Sequence, residues 1–137
     1  DACVAFLEAE IEHSSSPVLI FTHHVPLSRC SSDEHNRSLL KNAFSNDLDN
    51  LVAENSSKIR YWIFGHSHHS ISLDAGNTSF KSNQLGYVGE NEHSGFRGDS
   101  YIEDNIDTCP DTREEKQGTA DHNHMFSDAA GVENVIC

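Results

Sequence analysis

Two short stretches gather imidazoles where a folded chain could use them together. Gly65-His66-Ser67-His68-His69 follows the apolar run Tyr61-Trp62-Ile63-Phe64, and Thr22-His23-His24-Val25-Pro26 follows Val18-Leu19-Ile20-Phe21. Neutral imidazole is the commonest protein ligand for first-row transition metals. Residues two apart share a face in extended chain, so His66 and His68 are expected to reach one cationic centre. A histidine-rich surface turn would have the same composition in one such stretch. Its repetition at a second strand end points instead to a shared metal site, with His69 left to solvent.

The elements that must position these histidines are legible on either side of them. Residues 18–22 and 59–64, rich in β-branched and aromatic types, read as buried strands. Gly65 is expected to permit the turn that ends the second strand, and Pro26 blocks continuation of the first. Leu39, Leu40, Ala43, Phe44, Leu48, Leu51 and Val52 recur at helical spacing and predict one helix over 38–55. Strand, helix, strand implies a right-handed crossover with the two strands parallel and adjacent. His23 is then set beside His66 and His68 at the carboxyl edge of a sheet, where open α/β folds hold ligands.

The flanks are simpler. Residues 1–13 predict an amphipathic helix with Ala2, Cys3, Phe6, Leu7 and Ile11 on its apolar side and Asp1 as its cap. Residues 25–37 read as a polar loop in which His35 and Arg37 are solvated. Residues 70–82 read as a hairpin turning at Asp74-Ala75-Gly76-Asn77, and a further short strand is expected at 100–103. Residues 104–137 mix acidic, Gly and Thr residues without period, and read as an acidic, low-order tail in which His122 and His124 are solvated.

Thr-His-His-x-Pro followed by Trp-Ile-Phe-Gly-His-Ser-His resembles the last two metal-binding motifs of the calcineurin-like metallophosphoesterases, in the family order. Asn83-Gln84-Leu85-Gly86-Tyr87 is similar to the segment that follows them in many members. The resemblance covers about residues 1–103, as a partial phosphoesterase domain ahead of the 104–137 tail. It implies an α/β fold, the C-terminal half of an α/β/β/α sandwich. It also implies a centre of two divalent metal ions (Mn, Fe or Zn) that hydrolyses a phosphoester in a small molecule or a phosphoprotein. By the same resemblance His23, His66 and His68 are metal ligands, and His24 faces the substrate as the catalytic histidine. The family's Asp-x-His, Gly-Asp-x-x-Asp and Gly-Asn-His-(Asp/Glu) motifs are absent here, and Asp47-Leu48-Asp49-Asn50 does not replace them. The expectation is therefore a half-site: a fragment supplying three ligands to a parent domain, or an inactive metal-binding or interaction module. Three imidazoles can still hold a single zinc with an open fourth position.

Composition narrows the partners. The formal charge is −13, with −5 over residues 1–97 and −8 over 98–137. Phosphate backbones are repelled by such a surface unless a metal intervenes, so no nucleic-acid partner is expected. No run approaches the ~18 apolar residues of a membrane span. Cys3, Cys30, Cys109 and Cys137 form no Cys-x-x-Cys pair and read as incidental thiols, which favours a reducing, cytoplasmic setting.

Overall fold

Alternating apolar strands and a helix-covered face produce an α/β architecture. The computed structural model describes residues 2–90 and 92–102, together with the backbone of 133–136. In chain order, α1 (Ala2–His13) leads to β1 (Val18–Thr22) and then to three short helices, α2 (Asp33–Arg37), α3 (Lys41–Phe44) and α4 (Asp49–Asn55). Next come β2 (Ile59–Phe64), β3 (Ile71–Ala75) and β4 (Thr78–Ser82), and last β5 (Glu133–Ile136). The five strands form one sheet in the order β3-β4-β2-β1-β5. The β3–β4 pair is antiparallel, and all other pairs are parallel.

The crossover expected between the two histidine-bearing strands is present. β1 and β2 pair in parallel, with Leu19 opposite Tyr61 and Thr22 opposite Phe64. One sheet face is the core side. Val18 and Ile20 of β1, Trp62 and Phe64 of β2 and Phe80 of β4 are buried there with Leu7 and Ile11 of α1 and Leu51 and Val52 of α4. Alternation along the strands leaves Leu19, Phe21, Tyr61 and Ile63 half-buried on the other face. There Tyr61 and Ile63 line an open groove of about 580 Å³ with Lys81, Arg97 and Tyr101.

Polar contacts fasten the lower end of this sheet. The Lys58 ammonium, one residue before β2, donates to the carbonyls of Ile11 and Glu12 at 2.9 Å each. A cation there satisfies open carbonyls and opposes the negative end of the α1 dipole. The Lys58 carbonyl in turn accepts from Val18 N at 2.8 Å, so the ends of α1, β1 and β2 are tied at one residue.

The single helix expected over 38–55 is instead two, α3 and α4, separated at Ser45–Leu48. The backbone there pairs with the chain leaving β1: Val25 N–H donates to Phe44 O (3.3 Å), Asn46 N–H to Val25 O (2.8 Å) and Leu48 N–H to Pro26 O (3.2 Å). Those bonds replace the helical ones and leave Leu39 and Leu40 outside the core, both exposed. Residues 33–37, expected to be loop, form α2, capped by Ser32, whose side chain accepts from His35 N. In α1 only Leu7 and Ile11 of the expected apolar set are buried, and Phe6 is 45% exposed. The hairpin forms as expected, turning at Gly76 with φ +63°, a conformation glycine adopts without a steric cost. Residues 100–102 are not a strand, since Ser100 N–H closes a turn on Arg97 O at 3.2 Å. β5, which pairs with β1 from Val18↔Glu133 to Phe21↔Ile136, is a strand the sequence reading did not assign. The expected Asp1 cap, the end of the 100–103 strand, the stretch 104–132 and Cys137 lie outside the described residues, as do His122, His124 and Cys109.

Cys30 is fully buried and not disulfide-bonded, and burial pushes its thiol up to about 11. No helix among the described residues is long and apolar enough to cross a membrane.

Where β1 meets the histidines, the buried Trp62 indole N–H donates to Thr22 Oγ1 at 3.0 Å, and that hydroxyl donates to His24 O at 2.9 Å. Thr22→Val keeps the shape and leaves the indole N–H without a partner. The expected loss is about 1–3 kcal/mol, read as a lower urea midpoint with an unchanged denaturant slope.

Candidate functional site

Parallel pairing continues past the last strand residues. Gly65 N–H donates to His23 O at 3.1 Å, so the two chains leave the sheet in register and carry their histidines to the same edge. His23 Nε2 and His66 Nδ1 lie 3.0 Å apart. The His24 ring completes the group, with centroids 5.1 Å from His23 and 4.6 Å from His66. His23 and His24 are exposed, and His66 is half-buried.

The proton positions follow from the partners. His66 Nε2 lies 3.1 Å from Ala43 O, and a carbonyl only accepts. Nε2 therefore carries the proton, and Nδ1 presents a lone pair toward His23. Two nitrogens bound to one zinc at ~2.0–2.1 Å in tetrahedral geometry stand about 3.4 Å apart. The observed 3.0 Å is close to that separation, so a small opening of the pair, with transfer of the His23 proton to its other nitrogen, aims both lone pairs at one cation.

His68 behaves differently from the expectation of a shared extended face. Among the described residues, His66 and His68 are the non-glycine residues with positive φ, +70° and +49°, whereas Gly65 is not in that region. The chain turns at the histidines themselves, closed by a Ser67 N–H bond to Gly65 O at 2.9 Å. The His68 ring leaves the His23–His66 pair and reaches Glu92, with Nδ1 to Oε2 at 2.9 Å, while packing edge-on to Tyr87 at 4.7 Å. His69 is exposed, as expected. Among the described residues, no group of three or more His, Cys, Asp or Glu side chains stands ready to hold a metal ion.

Left-handed backbone at a non-glycine residue costs on the order of 1–3 kcal/mol. Gln84 opposes that cost from the loop after β4. Its Oε1 accepts from His68 N (2.8 Å), and its Nε2 donates to Ser67 Oγ (3.2 Å) and His69 O (2.9 Å). At ~0.5–1.5 kcal/mol each, three such bonds are of the size needed to hold the turn. Gln84 stands in the segment singled out by resemblance, but nothing in its spacing announced this role. His35, expected to be solvated, is half-buried and stacks on Phe44 at 4.3 Å, and Phe44 in turn packs 5.6 Å from His66. The signal for its placement was Ser32 followed by Asp33 and Glu34, a capped helix start.

The electrostatics disfavour a positive charge on His66. Burial, then the nearby His24, lowers the His66 pKa below 6.5, against a smaller opposing effect of the Ala43 carbonyl. The Tyr87 backbone N–H and, less strongly, the His68 ring hold the Glu92 carboxyl below its usual range, against a partial loss of hydration.

No family model and no solved structure matches the chain. The chain is 28% identical over 107 residues to an uncharacterized protein of Acanthamoeba polyphaga mimivirus, an alignment covering 73% of this chain. The chain spans 36% of the length of that curated relative.

Two outcomes are expected. Gln84→Ala strands the His68 N–H and releases the turn, costing about 1–3 kcal/mol, with amide shifts in NMR spectra concentrated at residues 66–69. The second concerns pH. His66 has a folded pKa below its unfolded value, so below pH 6.5 the unfolded chain binds more protons. Its contribution to stability is complete above pH 6.5 and is lost as pH falls through the folded pKa. Urea midpoints should therefore decline from pH 7 toward pH 5, and His66→Ala should flatten that decline.

Proposed function

We propose that this chain contributes to the metal centre of a calcineurin-like metallophosphoesterase domain that hydrolyses a phosphoester, in a small molecule or a phosphoprotein. The observation that carries the reading is the 3.0 Å approach of His23 Nε2 to His66 Nδ1 at the carboxyl ends of adjacent parallel strands. It coincides with Thr-His-His-x-Pro and Gly-His-x-His in the family order.

The donor set fits part of such a centre. In this reading His23 and His66 are ligands on the geometry above. His68, held apart by Glu92, would serve as a ligand of the second metal. Divalent cations, when bound, supply charge for the phosphoryl oxygens and a hydroxide at neutral pH. The chain's own residues do the rest: Ala43 O keeps the His66 proton on Nε2, and the Thr22 hydroxyl holds the carbonyl of His24. The exposed His24 ring, beside both ligands, is placed to meet a phosphate oxygen or a leaving group and to carry its proton. The bridging carboxylate and the Asn/His pair of the family come, on this reading, from residues other than these 137.

A second reading is a metal-binding or interaction module without turnover. It is favoured by the His68 ring, which turns from the His23–His66 pair to Glu92 and leaves two of the three expected ligands together.

Calorimetric titration of the 137-residue chain with Mn²⁺ and Zn²⁺, beside an assay on an aryl phosphodiester, tests both. Stoichiometric metal binding is expected, weakened at least about tenfold by either His23→Ala or His66→Ala. Hydrolysis is expected only when the chain is joined to a polypeptide carrying Asp-x-His and Gly-Asp-x-x-Asp. Its absence there would leave the second reading. Failure to bind either metal, or binding indifferent to both substitutions, would overturn the metal-centre reading and the metal-binding form of the second, leaving an interaction module.

A further inference from the structure

We infer that Glu92 is the positioning residue of His68, fixing its proton on Nδ1 so that Nε2 is the nitrogen offered to a ligand. The inference rests on the reading above for the use to which Nε2 is put, though not for the tautomer itself.

Chemistry assigns the proton. An ionised carboxylate has no hydrogen to give, so in the 2.9 Å contact between His68 Nδ1 and Glu92 Oε2 the ring nitrogen is the donor. In a neutral ring the other nitrogen is then bare. Without such a partner a histidine side chain in water favours the opposite tautomer, with the proton on Nε2, so the carboxylate reverses a default. Carboxylates bonded to the far nitrogen of a ligating histidine orient the ring and raise its basicity in the same way.

The surroundings hold that carboxylate in place. The same Oε2 accepts Tyr87 N–H at 2.6 Å. Gly86, at φ +61°, makes room: a Cβ there would lie 2.7 Å from Glu92 Cβ and 3.2 Å from His68 Cβ. Tyr87 covers the ring edge-on at 90°, and Gln84 Oε1 takes the His68 backbone N–H. The backbone, one ring face and Nδ1 of His68 are thus committed, leaving Nε2 for another partner. His66 is the complementary case. Ala43 O claims its Nε2 proton and leaves Nδ1 bare, so the two histidines of one turn, His66 and His68, present different nitrogens.

The test is long-range ¹H–¹⁵N correlation NMR on the full chain labelled at histidine nitrogens, with His68→Ala assigning the resonances. In the parent chain, His68 is expected with Nδ1 protonated and Nε2 bare. Glu92→Ala should move the proton to Nε2, while Glu92→Gln, whose amide oxygen still accepts, should retain the Nδ1 proton. Unchanged His66 signals and urea midpoint mark the fold as intact in each. Zn²⁺ titration of the same samples should show Glu92→Ala weakening binding by about 10–100-fold and Glu92→Gln by less. A parent His68 protonated on Nε2, or a tautomer unmoved by Glu92→Ala, overturns the inference even if Zn²⁺ binds and His66→Ala abolishes that binding. A tautomer that switches in a chain that binds no Zn²⁺ upholds the positioning role and removes the metal reading instead.

Discussion

The parallel seam between β1 and β2 is the constraint on which the site depends. Each strand ends in imidazoles, and only a fixed register brings His23 to His66 rather than past it. Ladder pairing from Leu19↔Tyr61 to Thr22↔Phe64 sets that register, and the Gly65 N–H bond to His23 O carries it beyond the strands. Trp62 links this backbone geometry to the core. Its ring is fully buried against Phe80, while its N–H reaches across the seam to Thr22. A large apolar side chain with one polar atom can be both anchor and register pin, provided that atom finds its partner. Thr22 provides it and passes the restraint to His24.

Strands and hairpin were legible because their signals are local. β-Branched and aromatic runs bounded by breakers define β1, β2 and the 71–82 hairpin, and the observed limits agree with the expected ones. The region between β1 and β2 was not legible in detail, because its outcome depends on a competition between distant groups. The helical stripe from Leu39 to Val52 is real as a pattern. However, the carbonyls of Val25 and Pro26 and the N–H of Val25 need partners as the chain leaves the sheet. Residues 44–48 supply them at the expense of helical bonds, so Leu39 and Leu40 lie outside the core although their spacing fits it. The interruption also brings α3 against the site, which is how Ala43 O comes to meet His66 and Phe44 to separate His66 from His35.

The candidate site was legible as a set of residues and illegible as a geometry. Alternation in Gly65-His66-Ser67-His68 suggests an extended chain with both rings on one face. Left-handed backbone at His66 and His68 turns the segment instead and sends the rings apart. The one short-range bond, Ser67 N–H to Gly65 O, is not enough to mark this conformation in the sequence. It is held from outside by the Gln84 amide and, through His68, by Glu92, sixteen and twenty-four residues from His68. Side-chain amides and carboxylates of that kind have no period and no fixed spacing, so a pattern search passes over them.

What emerges is a division of labour between the strands and the segments that connect them. The seam brings the histidines to one edge but does not decide which ring nitrogen each presents. That choice falls to two acceptors on connecting segments of different origin, Ala43 O from α3 after β1 and Glu92 Oε2 from the segment after β4. An imidazole offers a lone pair on only one nitrogen when neutral, so the acceptor at the other nitrogen matters as much as the ring's position. A substitution that preserved every histidine but lost either acceptor would keep the rings and change which nitrogen each presents. The strained turn is consistent with the same logic. Backbone conformations that cost free energy persist where the surroundings over-determine them, and here the surrounding bonds converge on the turn that carries the two imidazoles whose unprotonated nitrogens differ.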